Sequence, residues 1–203
     1  MAFESLKERT LRALGRDPVQ AAAVRSYTAL VDRARASVFY EHAPDLSGAE
    51  HAPGGFGVPD TVEGRFDLLT LHMFLVLGRL KDVPGTERFA QTLFDVMFRN
   101  MDDSLREMGV GDMRVPKKIR QMAEEFYGRV GAYDAAMDDR DALASALSRN
   151  LYGTDDAPMA PALAAYVQDA AAALRAVPPE RLTGGEVPLP DPAPRLLPEE
   201  TMR

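Results

Sequence analysis

The stretch from Val58 to Leu80, VPDTVEGRFDLLTLHMFLVLGRL, leaves a helix no face to show to water. From Phe66 onward, only Asp67, Thr70, His72, Gly78 and Arg79 interrupt Leu68, Leu69, Leu71, Met73, Phe74, Leu75, Val76, Leu77 and Leu80. A helix apolar on every side is either a membrane span or a core helix. A span takes about 20 largely apolar residues, and this run is shorter and carries Asp67, His72 and Arg79. The pattern predicts a soluble all-α fold, a compact helical bundle around a central apolar helix at about residues 62–81. The rest of the chain then has to cover that helix.

Length and charge narrow the classes. With 203 residues, the chain suits one domain of the usual size, about 100 to 200 residues, with appendages. A net charge of −7 argues against a nucleic-acid footprint spread over the surface, so no nucleic acid is expected as partner. Without cysteine there is no disulfide, thiolate nucleophile or Cys-based metal site, which fits a reducing compartment. MAFESLKERTLRALGR lacks the apolar core of a signal peptide, so the expected location is cytoplasmic.

Residues 1–16 read as a basic amphipathic helix, with Phe3, Leu6, Thr10, Ala13 and Leu14 on one side and Lys7, Arg9, Arg12 and Arg16 outnumbering Glu4 and Glu8. Such a helix either docks on its own domain or lies on an anionic membrane. Residues 17–177 read as the single helical domain. Asp17-Pro18 is a cap followed by proline at the first helical position, and Ala23, Tyr27, Leu30, Val31, Ala34 and Val38 mark one face of a helix reaching Tyr40. Between residues 41 and 59 the periodicity vanishes among prolines and glycines, predicting a long loop. Its APGGFG has neither the lysine and hydroxyl of a phosphate-binding loop nor a dinucleotide fingerprint, so its glycines are read as conformational freedom.

Asp60 or Thr61 is expected to cap the central helix, with Glu63 completing a capping box with Asp60. Thr86 should cap the next helix, whose apolar face of Phe89, Leu93, Phe94, Val96, Met97, Phe98, Met101, Leu105 and Met108 is expected to pack on the central one, with Gly109 as its stop. Pro116 opens a long helix along Ile119, Met122, Phe126, Val130, Tyr133 and Met137, in which Gly128 and Gly131 suggest a tight crossing or a bend. Asp138 or Asp139 caps a helix with Leu143, Leu147 and Leu151 as its seam, ending at Gly153. An alanine-rich helix from Pro161 follows, with few large side chains to secure it. Seven of the 15 prolines fall in residues 178–203, predicting a flexible proline-rich tail. No segment alternates as a strand does.

Few residues suggest chemistry. His42, His51 and His72 have no second ligand at metal-binding spacing, so neither metal nor cofactor is expected. His72 reads as a core residue. Asp102-Asp103 and Asp138-Asp139 fit a solvated helix face and a helix cap. One basic cluster, Arg114, Lys117, Lys118 and Arg120, stands in the first turns of a helix, where cations oppose the dipole and have no stabilising reason to gather. It is a candidate for an anionic partner.

Taken together, the Val58–Leu80 stretch, the Phe89–Met108 helix, GVGDMRVPKKIRQMAEEFYGRVGAYDAA and LASALSRNLYG resemble the ubiquinol–cytochrome c chaperone family over about residues 58–153. The likeness includes the GRFD opening of the central helix, the Leu71-His72 pair in its middle, Arg79-Leu80 at its end, and Ala132-Tyr133-Asp134. The resemblance implies an all-α, non-catalytic assembly factor that binds newly made cytochrome b for the respiratory bc1 complex. Mitochondrial relatives also act near the ribosome exit with a partner factor. The absence of a transit peptide and of an evident membrane anchor suggests a bacterial form, peripheral on the inner membrane.

Two readings follow. In the first, an apolar groove and the Arg114–Arg120 cluster hold an unfinished cytochrome b segment or anionic lipid. In the second, the domain binds a lipid or small molecule, or is an enzyme whose helical pocket contains His72 and Arg79. The candidate binding residues are thus Arg114, Lys117, Lys118, Arg120, His72 and Arg79.

Overall fold

A computed structural model describes residues 17–41 and 54–194. Among these the chain forms seven α-helices and no β-strand: α1 (Pro18–Ala34), α2 (Val62–Leu80), α3 (Glu87–Glu107), α4 (Val115–Ala136), α5 (Arg140–Leu147), α6 (Ala160–Arg175) and α7 (Pro179–Thr183). A 3-10 turn spans Ser37–Phe39 and a π-helical turn Ser148–Tyr152. The expected N-terminal amphipathic helix lies outside the described residues, as do residues 42–53 of the loop and residues 195–203 of the tail.

Helix α2 is the core. Leu68, Leu71, Met73 and Val76 are wholly buried, and so are its polar members Thr70 and His72. It is enclosed by α1, α4 and α6. Helix α3 departs from expectation, because it packs chiefly on α1 and only lightly on α2. Tyr27 of α1 and Asn100 of α3 account for part of this pairing: both are buried, and the phenol donates to Asn100 Oδ1 at 2.7 Å. A long apolar face identifies a core-facing helix but not which neighbour it faces.

Asp17, Thr61 and Asp139 cap their helices as expected, whereas the capping box and the Thr86 cap do not form. Asp17 caps α1 by accepting from Val19 N at 3.0 Å, and Asp139 caps α5 through Asp141 N and Ala142 N. At α2 the cap is Thr61, which accepts from Gly64 N at 3.0 Å. The Asp60–Glu63 box does not form; Asp60 instead pairs with Arg65 at 2.6 Å. Thr86 makes no side-chain cap, because its hydroxyl is directed back to Leu80 O and Val83 O, where it closes the end of α2. Helix α1 stops at Ala34, short of the expected Tyr40, where Ala36 turns extended and the Tyr40 hydroxyl reaches back to Ala34 O at 2.6 Å.

The end of the Pro/Gly loop, described from residue 54 onward, is packed against that turn. Phe56 N donates to Val38 O and Val58 N to Phe39 O, both at 2.8 Å, while Phe56 and Val58 are buried. Gly55 serves close approach there: a Cβ would stand 2.4 Å from Val38 O. The backbone contact, and not the freedom expected of the glycines, accounts for this residue.

The tail differs most from its sequence reading. Through residue 194 it lies along α1: Leu182 is fully buried, Arg25 donates to Gly184 O at 2.9 Å, and Arg33 reaches Leu189 O and Asp191 at 3.2 Å. One inserted leucine and two arginines that bind backbone carbonyls hold it, and none of these produces a periodic pattern. Gly128 and Gly131 also depart from expectation. Both are exposed in an unbroken α4, and a Cβ on either would meet nothing within 4 Å, so neither marks a tight crossing.

These differences can be measured. Leu182→Ala should lower stability by about 2 to 4 kcal/mol in urea unfolding, whereas a free tail would leave it unchanged. Gly128→Ala and Gly131→Ala should each raise stability by about 0.5 to 1 kcal/mol; a loss would show that the glycines are needed within the fold.

Candidate functional site

The described residues enclose a cleft of about 470 Å³ between the C-terminal half of α1, the start of α2, the end of α3 and the body of α4. Its floor consists of buried Tyr27, Val31, Phe66 and Leu69, and its walls of Met101, Leu105 and Met122. The rim carries exposed Val62, Met108 and Lys118. The cleft follows from the fold: α3 leans on α1 and only lightly on α2, so the first turns of α2, with Val62, Phe66 and Leu69 beside Glu63, Arg65 and Asp67, are left partly open. Methionine's unbranched, polarizable chain adapts to irregular apolar partners. Arg35, Glu63, Arg65, Asp67, Glu125 and Arg129 also line it, so the cleft sets an apolar floor among charged groups, and apolar lining with placed polar groups is what ligand sites present.

One ion pair lies at the base of this wall. Arg129 Nη2 of α4 is 2.8 Å from Asp67 Oδ1 of α2, and Arg129 Nη1 is 3.7 Å from Glu125. Burial pushes the Asp67 carboxyl up to about 6, with Arg129 offsetting part of the rise and Glu125 and Glu63 adding to it. Burial, and to a lesser degree Asp67, also raises the phenol of Tyr133, which packs on Phe74. The sequence reading passed over Asp67 and Arg129. Their signal was present in outline, as a carboxylate within an apolar run and an arginine beside the glycines of α4, but pairing them requires the α2–α4 crossing.

The six residues singled out from sequence do not gather at one place. His72 is fully buried and turned away from the cleft, among Phe39, Phe56 and Tyr166. Its Nδ1–H donates to Leu68 O at 2.8 Å, and its Nε2 accepts from the Tyr166 hydroxyl at 3.0 Å. Desolvation holds its pKa down to about 4, so the ring is neutral and ties α6 to α2. Arg79 donates from Nε to Leu174 O at 3.1 Å and from Nη2 to Val177 O at 3.3 Å, binding carbonyls at the end of α6. Both residues are thus occupied by the fold, and neither lines the cleft. Of the basic cluster, Lys118 reaches the rim, while Arg114 at the cap of α4 and Lys117 and Arg120 on it are exposed. No group of three or more potential metal-ligating side chains comes together among the described residues.

Comparison with known proteins places this geometry in a family. The sequence model of the Ubiquinol-cytochrome C chaperone family matches residues 55–189, which include α2 to α7 and three of the cleft's four walls. Ubiquinol-cytochrome-c reductase complex assembly factor 1 of Xenopus laevis is 28% identical over 136 residues, 66% of this chain and 61% of that protein. The Mus musculus protein of the same name is 25% identical over 136 residues, 66% of this chain and 42% of its own. The chain therefore matches about three fifths and two fifths of the lengths of these relatives. The crystal structure of the Cbp3 homolog from Brucella abortus is 37% identical, with a TM-score of 0.72, over 94% of this chain and 97% of that one.

Asp67 and His72, two buried groups that titrate on the acid side of neutrality, make opposite pH predictions. Asp67 has a raised folded pKa, about 6 against 3.8, so folding retains a proton that the unfolded chain has released, and its contribution to stability falls as pH rises from about 4 to 6. His72 has a depressed one, about 4 against 6.5, so its contribution falls as pH drops through the same window. Urea unfolding across this range should show the two slopes largely cancelling in the parent chain. Asp67→Asn should leave stability rising with pH, and His72→Phe should leave it falling, each by on the order of 2 kcal/mol. Parallel profiles for all three proteins would refute the assignment.

Proposed function

Because the chain belongs to the ubiquinol–cytochrome c chaperone family, we propose that it is a non-catalytic assembly factor of the respiratory bc1 complex, and that the α1–α4 cleft holds an apolar segment of newly made cytochrome b. The carrying observation is the family match over residues 55–189, within which the apolar, methionine-bearing walls contributed by α2, α3 and α4 fall. An unassembled membrane protein exposes apolar helices that aggregate in water unless covered. A groove with an apolar floor and adaptable methionines can take such a helix along one face, with its apolar side chains at helical spacing as anchors. Rim charges can engage polar residues that flank the segment.

Binding of this kind needs no chemistry beyond association and release. Haem insertion or pairing with other subunits would bury the same client surface and so compete with the cleft. The site of action on this reading is the cytoplasmic face of the inner membrane, where an unassembled client would be met.

The test is a strain lacking the gene. Reduced-minus-oxidised haem spectra of its membranes should show specific loss of cytochrome b, restored by a re-expressed parent copy. A copy carrying Met122→Glu, which puts a charge on the cleft wall, should fold with its melting temperature lowered by a few degrees at most and fail to restore the signal. Unchanged cytochrome b in the deletion strain, or full rescue by Met122→Glu, would overturn the proposal. Unchanged cytochrome b together with a stoichiometric lipid in the purified protein would identify the cleft as a carrier site instead.

A further inference from the structure

The corner where α3 turns into α4 combines two features that the fold itself does not explain. Met113 is 95% exposed and Met108 57% exposed, two of the four large apolar side chains that the described residues leave open to water. Directly beside them, Arg114, Lys117, Lys118 and Arg120 are exposed, and none forms an ion pair among the described residues. Asp112, the acid nearest to them in sequence, is paired with Arg106, which Asp102 also holds. Four cations without an ion pair among the described residues therefore stand at the cap and in the first two turns of α4, in a chain whose net charge is −7. Cations at a helix N-terminus oppose the dipole, so the cluster gains nothing from its own helix.

We propose that this corner docks the protein on the surface of an anionic bilayer. The cations would lie among lipid headgroups, with Met113 and Met108 inserted at the boundary of the acyl chains. An acidic protein surface would account for the cations and leave a methionine almost wholly exposed unexplained, whereas a bilayer surface is both anionic and apolar within a few ångströms of depth. The negative charge on the remainder of the molecule is repelled by such a surface, so this corner sets the orientation of docking. Met108 and Lys118 also belong to the rim of the cleft, so docking here turns the cleft mouth towards the membrane. The proposal stands whether or not the cleft holds cytochrome b.

Co-sedimentation of the full chain with unilamellar vesicles tests it. Vesicles of phosphatidylcholine with phosphatidylglycerol should bind the protein, vesicles of phosphatidylcholine alone should not, and binding should weaken as salt is raised. The Lys117→Glu, Lys118→Glu double variant should lower the partition coefficient by about tenfold or more. Met113→Ser should lower it severalfold and leave the salt dependence unchanged, because it removes insertion and not charge. All three positions are exposed, so unchanged circular dichroism and melting temperature should confirm that the variants are folded. Three results would each overturn the proposal: no binding to anionic vesicles, equal binding to neutral ones, or undiminished binding by the charge-reversed chain. The last would assign membrane binding to another part of the protein.

Discussion

A helix buried along its whole middle depends on its neighbours to answer most of its polar side chains, and α2 sets that requirement for the rest of the structure. His72 takes the Tyr166 hydroxyl from α6, Asp67 takes Arg129 from α4, and Arg79 crosses to the last carbonyls of α6. Each partner lies far away in sequence, so these contacts act as register pins between α2 and its neighbours. Left without a partner, a buried polar group costs about 1 to 3 kcal/mol, and a buried charge costs more. The apolar residues of α2 drive association without direction; the polar ones select which helices are neighbours and at what height.

The same requirement explains why the cleft opens where it does. Over its second half α2 is closed in by α6 and by the Phe39–Phe56 turn, and Thr86 seals its end. Over its first turns it depends on α4 for Arg129, while α3 is drawn away to α1. The cleft is the space this divergence leaves; α2 lends it Val62, Phe66 and Leu69 together with the charged Glu63, Arg65 and Asp67, the last paired with Arg129. The charge pair is thus part of the architecture and also lies beside whatever enters. A ligand that dehydrates this end further would raise the proton affinity of Asp67 again, a direct physical link between occupancy and protonation.

The family match and the structure bear on different parts of the functional reading. The match covers α2 to α7 and joins this chain to assembly factors that it overlaps only in part. The structure identifies an apolar cleft, removes His72 and Arg79 from consideration as its lining, and shows the Arg114–Arg120 cluster at its edge together with exposed methionines. On the two proposals, the client groove and the bilayer-facing corner share one rim, at Met108 and Lys118.

Periodicity was enough for the all-α class, the buried state of α2 and most helix ends, because these depend on residues within a turn or two of one another: Asp17 and Asp139 cap their own helices, and Gly109 and Gly153 take the left-handed conformation at helix ends. It was enough also to pick out His72 as a core residue and the basic cluster as unexplained by its helix. The partner of α3, the packing of residues 178–194 and the closeness required of Gly55 were decided only in three dimensions. An apolar face is not addressed to a particular neighbour, and a segment held by Leu182 and by arginine-to-carbonyl bonds carries no period. The cleft belongs to that second group. Its residues come from four helices spread over more than half the chain, each unremarkable alone, and only the divergence of α3 from α2 makes them one surface.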